Sequence, residues 1–250
     1  MIPEWIMAGL WGLIAGSALL IGALFAYLFK IPSRIVASIM AFGAGVLLSA
    51  ISLELMEESF TLGGYYNMLI GFLMGAVIFT VINVYLARKG AKHRKRSQKQ
   101  LGSDEDDSNS LAIAAGSVID GIPESIAIGL TMITGGAVSV ATVIAIFISN
   151  IPEGLSSTAG FKKAGWGFRP IFILWSVIAI SSAIASLAGY SIFSHLPPSV
   201  ISLTLALAAG GILAMLVDTM IPEAFSETHN MAGLITVLGF ITSFILSKIG

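Results

Sequence analysis

Ala41-Phe42-Gly43-Ala44-Gly45-Val46-Leu47-Leu48 is matched later in the chain by Ala206-Leu207-Ala208-Ala209-Gly210-Gly211-Ile212-Leu213. The same spacing carries Glu58-Ser59-Phe60 onto Glu223-Ala224-Phe225. Both stretches sit inside apolar runs of helical length, and the runs around them decide the fold class. Of the 250 residues, 56% are hydrophobic and 11% are charged, where an ordinary soluble domain carries about 25% charge. A water-soluble globule of this size has no interior large enough for so much apolar surface. A bilayer core, about 30 Å thick, takes about 20 apolar residues per helix. The chain therefore reads as an all-α polytopic membrane protein.

Eight spans are expected, at Trp5–Phe29, Ile35–Phe60, Tyr66–Ala87, Leu111–Met132, Val138–Phe161, Pro170–Tyr190, Ser199–Phe225 and Met231–Leu246. Met1-Ile2-Pro3-Glu4 has no basic residue, and the first apolar run is too long for a cleavable leader. With the N-terminus outside, every one of the 13 Lys and Arg residues except Lys248 falls on the cytoplasmic side. So lopsided a distribution supports an even number of spans in a cell membrane, with both termini extracellular. The two matched stretches then lie in spans two and seven, which cross in opposite directions. Spans one to three and six to eight form an inverted repeat, and spans four and five form a pair of their own. This 3+2+3 layout is a mark of alternating-access carriers. Residues 1–250 make one transmembrane domain. Residues 88–110 form a flexible cytoplasmic loop, basic in its first half and acidic in its second. With His93 that loop is either a metal-delivering segment or a solvated tether. Gly43, Gly45, Gly210 and Gly211 are read as packing positions that let helices approach closely.

The polar residues inside the spans carry the functional reading. Asp120 and Glu124 lie near the middle of span four, and Glu153 near the middle of span five. Each ionised carboxylate at mid-bilayer costs about 2.5–3.5 kcal/mol. Neither span holds a Lys or Arg to pair with them. Either they are protonated or a cation is their partner. Asp120 and Glu124 are i,i+4 and share a helix face; Asn150 and Glu153 are i,i+3 and share another. Each pair brackets a proline, which frees a backbone carbonyl one turn back, around Val118–Ile119 in span four. Carboxylates, a carboxamide and freed carbonyls make an oxygen-rich cation site. The competing reading is a proton-sharing carboxylate cluster that only joins helices. Glu54–Glu58 and Asp218–Glu223 end spans two and seven near the outer and the inner surface, as two mouths of one pathway or as interfacial charge. His93, His195 and His229 all lie off-centre and are assigned no role in the site.

Ile119-Asp120-Gly121-Ile122-Pro123-Glu124-Ser125 and Ser149-Asn150-Ile151-Pro152-Glu153-Gly154 resemble the paired His-Asn-x-Pro-Glu-Gly signatures of the ZIP (Zrt-, Irt-like) divalent-metal transporters. Val217-Asp218-Thr219-Met220-Ile221-Pro222-Glu223 is similar, more loosely, to that family's third motif. The span count, the external termini and the basic loop after span three also resemble the family, over essentially the whole chain. The resemblance implies a metal site built from Asp120, Glu124, Asn150 and Glu153, with Ser149 and Asp218 as secondary ligands. It also implies a bundle of spans one, four, five and six moving against a scaffold of two, three, seven and eight, within a homodimer. Asp120, Ser149 and Asp218 stand where the family carries histidines. Imidazole suits Zn²⁺, whereas carboxylates and carbonyls also suit harder ions such as Mn²⁺ and Mg²⁺.

The expected function is secondary transport of a divalent cation of the Zn²⁺, Mn²⁺ or Fe²⁺ class into the cytoplasm, with no resident cofactor. The alternative is a ZIP-like membrane protein without transport, acting as a regulator or structural subunit. An enzyme is not expected, because an intramembrane hydrolase needs an activated nucleophile or a histidine-bound metal beside the carboxylates. A net charge of −1 gives no pull toward nucleic acid, and the absence of Cys excludes disulfides and thiolate ligands. The expected partners are the divalent ion, the lipid bilayer and a second copy of the chain.

Overall fold

Prolines open three of the helices. Pro3, Pro32 and Pro197 hold extended backbone angles, with ψ of 142°, 137° and 149°, immediately before α1 (Glu4–Leu28), α2 (Ser33–Ala50) and α7 (Pro198–Met215). A proline at a helix start loses no hydrogen bond, because the first N–H groups have no partner within the helix. The computed structural model describes residues 2–88, 107–135, 140–163 and 165–249. The remaining elements are α3 (Met56–Arg88), α4 (Asp107–Gly135), α5 (Val140–Lys163), α6 (Phe168–Phe193), α8 (Ile221–Thr228) and α9 (Ala232–Ile249). Among the described residues every regular element is helical.

Six helical runs are long and apolar enough to cross a membrane, and the protein is membrane-embedded. Two of the runs, Ser33–Arg88 and Pro198–Lys248, have 56 and 51 residues. At 1.5 Å per residue, 56 residues would reach roughly 84 Å if straight, far beyond the bilayer core. Neither run is straight. Gly64 interrupts α3 with φ of 71° and ψ of −174°, in the positive-φ region that favours glycine. His229, with φ of 46°, begins a short 3₁₀ turn between α8 and α9. Each run also contains one π-helical turn, at Ile51–Leu55 and at Leu216–Met220. These two turns obey the same sequence spacing as the matched stretches, as do Pro32 and Pro197. The π turns were not expected from the sequence. Helix α4 begins at Asp107, earlier than the expected Leu111, and most of the 88–110 loop lies outside the described residues.

Two sets of helices pack together. Helix α1 packs on α5 and α6, and α4 on α6; α3 packs on α7, and α2 on α9. The sets meet where α2 touches α5 and α4 touches α7. The crossings within the second set are backbone to backbone. A Cβ on Gly45 would collide with the Thr236 carbonyl, and one on Gly239 with the Phe42 carbonyl. At the α3–α7 crossing Gly210 meets the Phe72 carbonyl and Gly75 the Leu207 carbonyl in the same reciprocal way. The packing role expected for Gly45 and Gly210 is thus present. Gly43 contributes too, with Ser149 Cα 3.2 Å from where its Cβ would stand, whereas Gly211 has 3.7 Å of room.

Side-chain bonds close both ends of the bundle. At one end Lys162 Nζ donates to the Tyr27 carbonyl (2.7 Å) and the Ser33 hydroxyl donates to Glu227 (2.9 Å). At the other, Tyr190 bonds Glu4, and Ser247 bonds Glu54. There Ser59 and Ser202 also exchange hydrogen bonds with each other's carbonyls, at 2.8 and 2.7 Å.

Candidate functional site

The polar residues of α4 and α5 are enclosed by the bundle. Asp120, Glu124, Ser149, Asn150 and Glu153 are each between 2% and 6% exposed. Periodicity explains how the helices present them. Ser117, Asp120, Glu124 and Thr131 fall within roughly 60° of one another around α4 at 100° per residue. On α5, Thr142, Ser149, Glu153 and Ser156 occupy an arc of roughly the same width. All eight side chains are buried. Each stripe therefore runs along its helix for roughly 21 Å. Pro123 and Pro152 lie inside the two continuous helices beside the carboxylates.

Several polar atoms have defined partners. Asn150 Nδ2 donates to the Ala15 carbonyl of α1 at 3.0 Å. This bond occupies the amide's donor end and leaves Oδ1 as the end directed away from that carbonyl. The Ser149 hydroxyl donates to the Ile146 carbonyl (2.9 Å), and Ser125 to the Gly121 carbonyl (2.7 Å). In both cases the oxygen keeps lone pairs able to accept or to ligate. Gly43 of α2 lies against Ser149, which brings the small-residue stretch of the sequence directly to this region. On the other side Gly121 faces Ser182 of α6, with 3.8 Å between the position of a Cβ and the serine oxygen.

The six residues expected at the metal site do not all come together. Five are buried on α4 and α5. Asp218 is exposed on the π turn after α7, where it accepts a hydrogen bond from Asn83 Nδ2 of α3 at 3.1 Å. Among the described residues no group of three or more His, Asp and Glu side chains is arranged to hold one metal ion. Asp120 and Glu124 are on one helix and Glu153 on another, and α4 and α5 touch each other only slightly. A cation held here in this conformation would draw its remaining ligands from Asn150, Ser149, backbone carbonyls or water, all oxygen donors of the kind hard divalent ions accept.

Sequence reading did not single out Ser117, Thr131, Thr142, Ser156 or Ser182. For Ser117, Thr131 and Ser156 the signal was present as hydroxyl residues three or seven positions from a carboxylate, whereas Thr142 lies eleven positions from Glu153 and Ser182 is on α6, which carries no carboxylate. It is a weak signal, since serine and threonine are common in membrane helices. The two mouths also differ from expectation in burial. Glu57 is exposed and Glu54 and Glu58 are partly buried, whereas Glu223 is 5% exposed. His195 is exposed and lies within hydrogen-bonding distance of the Ser191 carbonyl and Ser194. His229 is exposed beside Phe225, and His93 lies outside the described residues. No family model matches the chain, and no curated protein matches it.

Proposed function

We propose that this protein is a secondary transporter of divalent metal cations, of the ZIP kind, carrying Zn²⁺ or a harder ion such as Mn²⁺ or Fe²⁺ into the cytoplasm. One observation carries the reading: Asp120, Glu124 and Glu153 are buried beside prolines on two helices that cross the membrane-embedded bundle. Acidic groups in that position are expensive unless a cation or proton accompanies them. Their separation on α4 and α5 fits a pathway that a cation moves along better than a closed structural cage. In this reading the ion passes between the carboxylate oxygens of the two helices, with Asn150 Oδ1 and Ser149 Oγ as further oxygen ligands on the way.

The helix arrangement supports alternating access. The breaks at Gly64 and His229 divide the two long runs into four spans, which with the others makes eight. The matched prolines, π turns and reciprocal glycine crossings support an inverted repeat of the first three and last three spans. Contacts concentrated within α1, α4, α5 and α6, and within α2, α3, α7 and α9, suit two bodies that rock against each other. In this reading the protein spans a cell membrane with both termini outside, acts as a homodimer and is not an enzyme.

A second reading has one observation in its favour. Because no three acidic or histidine side chains converge among the described residues, a ZIP-like fold that regulates or scaffolds without transporting would look the same. Crystals soaked separately in Zn²⁺ and Mn²⁺, with anomalous maps at each edge, distinguish the two. A transporter shows metal between α4 and α5; a peak confined to the surface, or none, supports the regulator.

A further inference from the structure

Helices α5 and α6 converge on Tyr27 of α1 at one end of the bundle. Phe168, which opens α6, meets its ring edge-on with centroids 5.2 Å apart, and Phe172 does so at 6.3 Å. Lys162, near the end of α5, donates to the Tyr27 carbonyl at 2.7 Å and lies 5.0 Å from the ring centroid. That carbonyl belongs to the last turn of α1, where carbonyls have no partner within the helix. Phe168 stacks on Phe172 at 4.0 Å and Trp166 on Phe161 at 4.9 Å, so the corner is built of aromatic rings.

Exposed cations and exposed apolar side chains are neighbours in sequence at this corner. Leu28, Phe29 and Phe168 are 61%, 57% and 46% exposed. Lys30 directly follows the first two, Arg169 directly follows the third, and both are exposed, as is Lys162. Aromatic rings and long basic side chains are the residues that settle at headgroup level, rings in the interface and charges reaching to its polar edge. At the same end of the bundle Glu227 accepts a hydrogen bond from Ser33 of α2. Among the described residues no carboxylate forms an ion pair with Lys30, Lys162 or Arg169. Lys162 uses one of its three N–H donors on Tyr27, leaving two.

We infer that Lys30, Lys162 and Arg169, grouped with Tyr27 and Phe168 at the α1–α5–α6 corner, bind the phosphate of an anionic glycerophospholipid. The exposed Leu28, Phe29 and Phe168 specify a lipid over a free phosphate, because they offer apolar contact to the glycerol and upper acyl carbons beside the charges. The site is separate from the α4–α5 carboxylates, and its existence does not depend on the transported ion.

The test titrates the purified full chain in detergent with dioleoyl phosphatidylglycerol or dioleoyl phosphatidylcholine and counts retained lipids by native mass spectrometry. Wild type retains the anionic lipid in preference to the zwitterionic one. The double variant K30Q/R169Q changes only exposed side chains and leaves the Lys162–Tyr27 bond in place. It should lose roughly ten-fold or more in retention of the anionic lipid, since a basic side chain at a membrane surface is worth about five-fold each. K162R keeps the charge and should retain lipid as wild type does. K248Q, at the opposite end, should change nothing. The inference is overturned if K30Q/R169Q retains phosphatidylglycerol as well as wild type. It is equally overturned if K248Q loses as much as the double variant, or if glycerol 3-phosphate alone binds as tightly as the lipid.

Discussion

The α2–α9 crossing and the α4–α5 stripe are built from the same kind of apolar helix, yet their interiors differ completely. At the crossing, Gly45 and Gly239 bring backbone against backbone, leaving no room for a side chain. In the stripe, the interior holds carboxylates and hydroxyls, with the buried Asn150 beside them, and each helix carries an internal proline. Close backbone contact is how membrane helices gain attraction when lipid is as apolar as leucine. Buried acids do the opposite and lower stability unless a cation or proton offsets them. The first region therefore holds the bundle together, and the second is tolerated for what it binds.

The comparison breaks most visibly at the glycines. Gly45→Val drives a side chain into the Thr236 carbonyl. It should lower stability by at least about 3 kcal/mol, at or above the usual range for overpacking, and remove most folded protein in a thermal-unfolding assay. Gly211→Ala, with 3.7 Å of room, should stay near wild type in the same assay. Next comes Glu153→Gln, which should fold normally and bind Mn²⁺ or Zn²⁺ by calorimetry at least ten-fold more weakly, roughly the loss that follows a damaged metal shell. Asp120→His with Ser149→His should then raise the preference for Zn²⁺ over Mn²⁺ several-fold in competition binding, since imidazole suits Zn²⁺; an unchanged ratio removes these two positions from the ligand set. Protons compete with metal for carboxylate oxygens, so affinity should fall as pH drops from about 8 to 6, by up to about ten-fold per unit for each proton released. The smallest effect belongs to Asp218→Asn. Exposed and bonded to Asn83, it should change stability by no more than about 0.5 kcal/mol and leave metal affinity unaltered.

How far the sequence was legible follows the same division. The helical runs stood out because apolar length is read directly from composition, and the ends of α1, α5 and α6 fall within a few residues of expectation. The burial of Asp120, Glu124, Asn150 and Glu153 was legible because each pair keeps ordinary helical spacing. Asp218 was expected at the site only through the resemblance, and no helical spacing tied it to the other ligands; it lies exposed within a π turn. The rest of the hydroxyl stripe was hidden for a different reason: serine and threonine can satisfy themselves on their own helix, as Thr131 does on the Ile128 carbonyl, and nothing in their local sequence marks them as part of a buried polar stripe. The reciprocal glycine crossings were visible only in part. The sequence offers small residues, but which carbonyl each one meets is decided by helices far apart in the chain.

Uptake of metal into sealed proteoliposomes tests the central claim most directly. With Zn²⁺ or Mn²⁺ outside, vesicles containing the wild-type protein should accumulate the ion above protein-free vesicles. Those containing an equal amount of folded Glu153→Gln should not, and those containing Asp218→Asn should match wild type. Accumulation by Glu153→Gln at the wild-type rate, or none by wild type with either ion, would contradict the assignment of the α4–α5 carboxylates to a cation pathway.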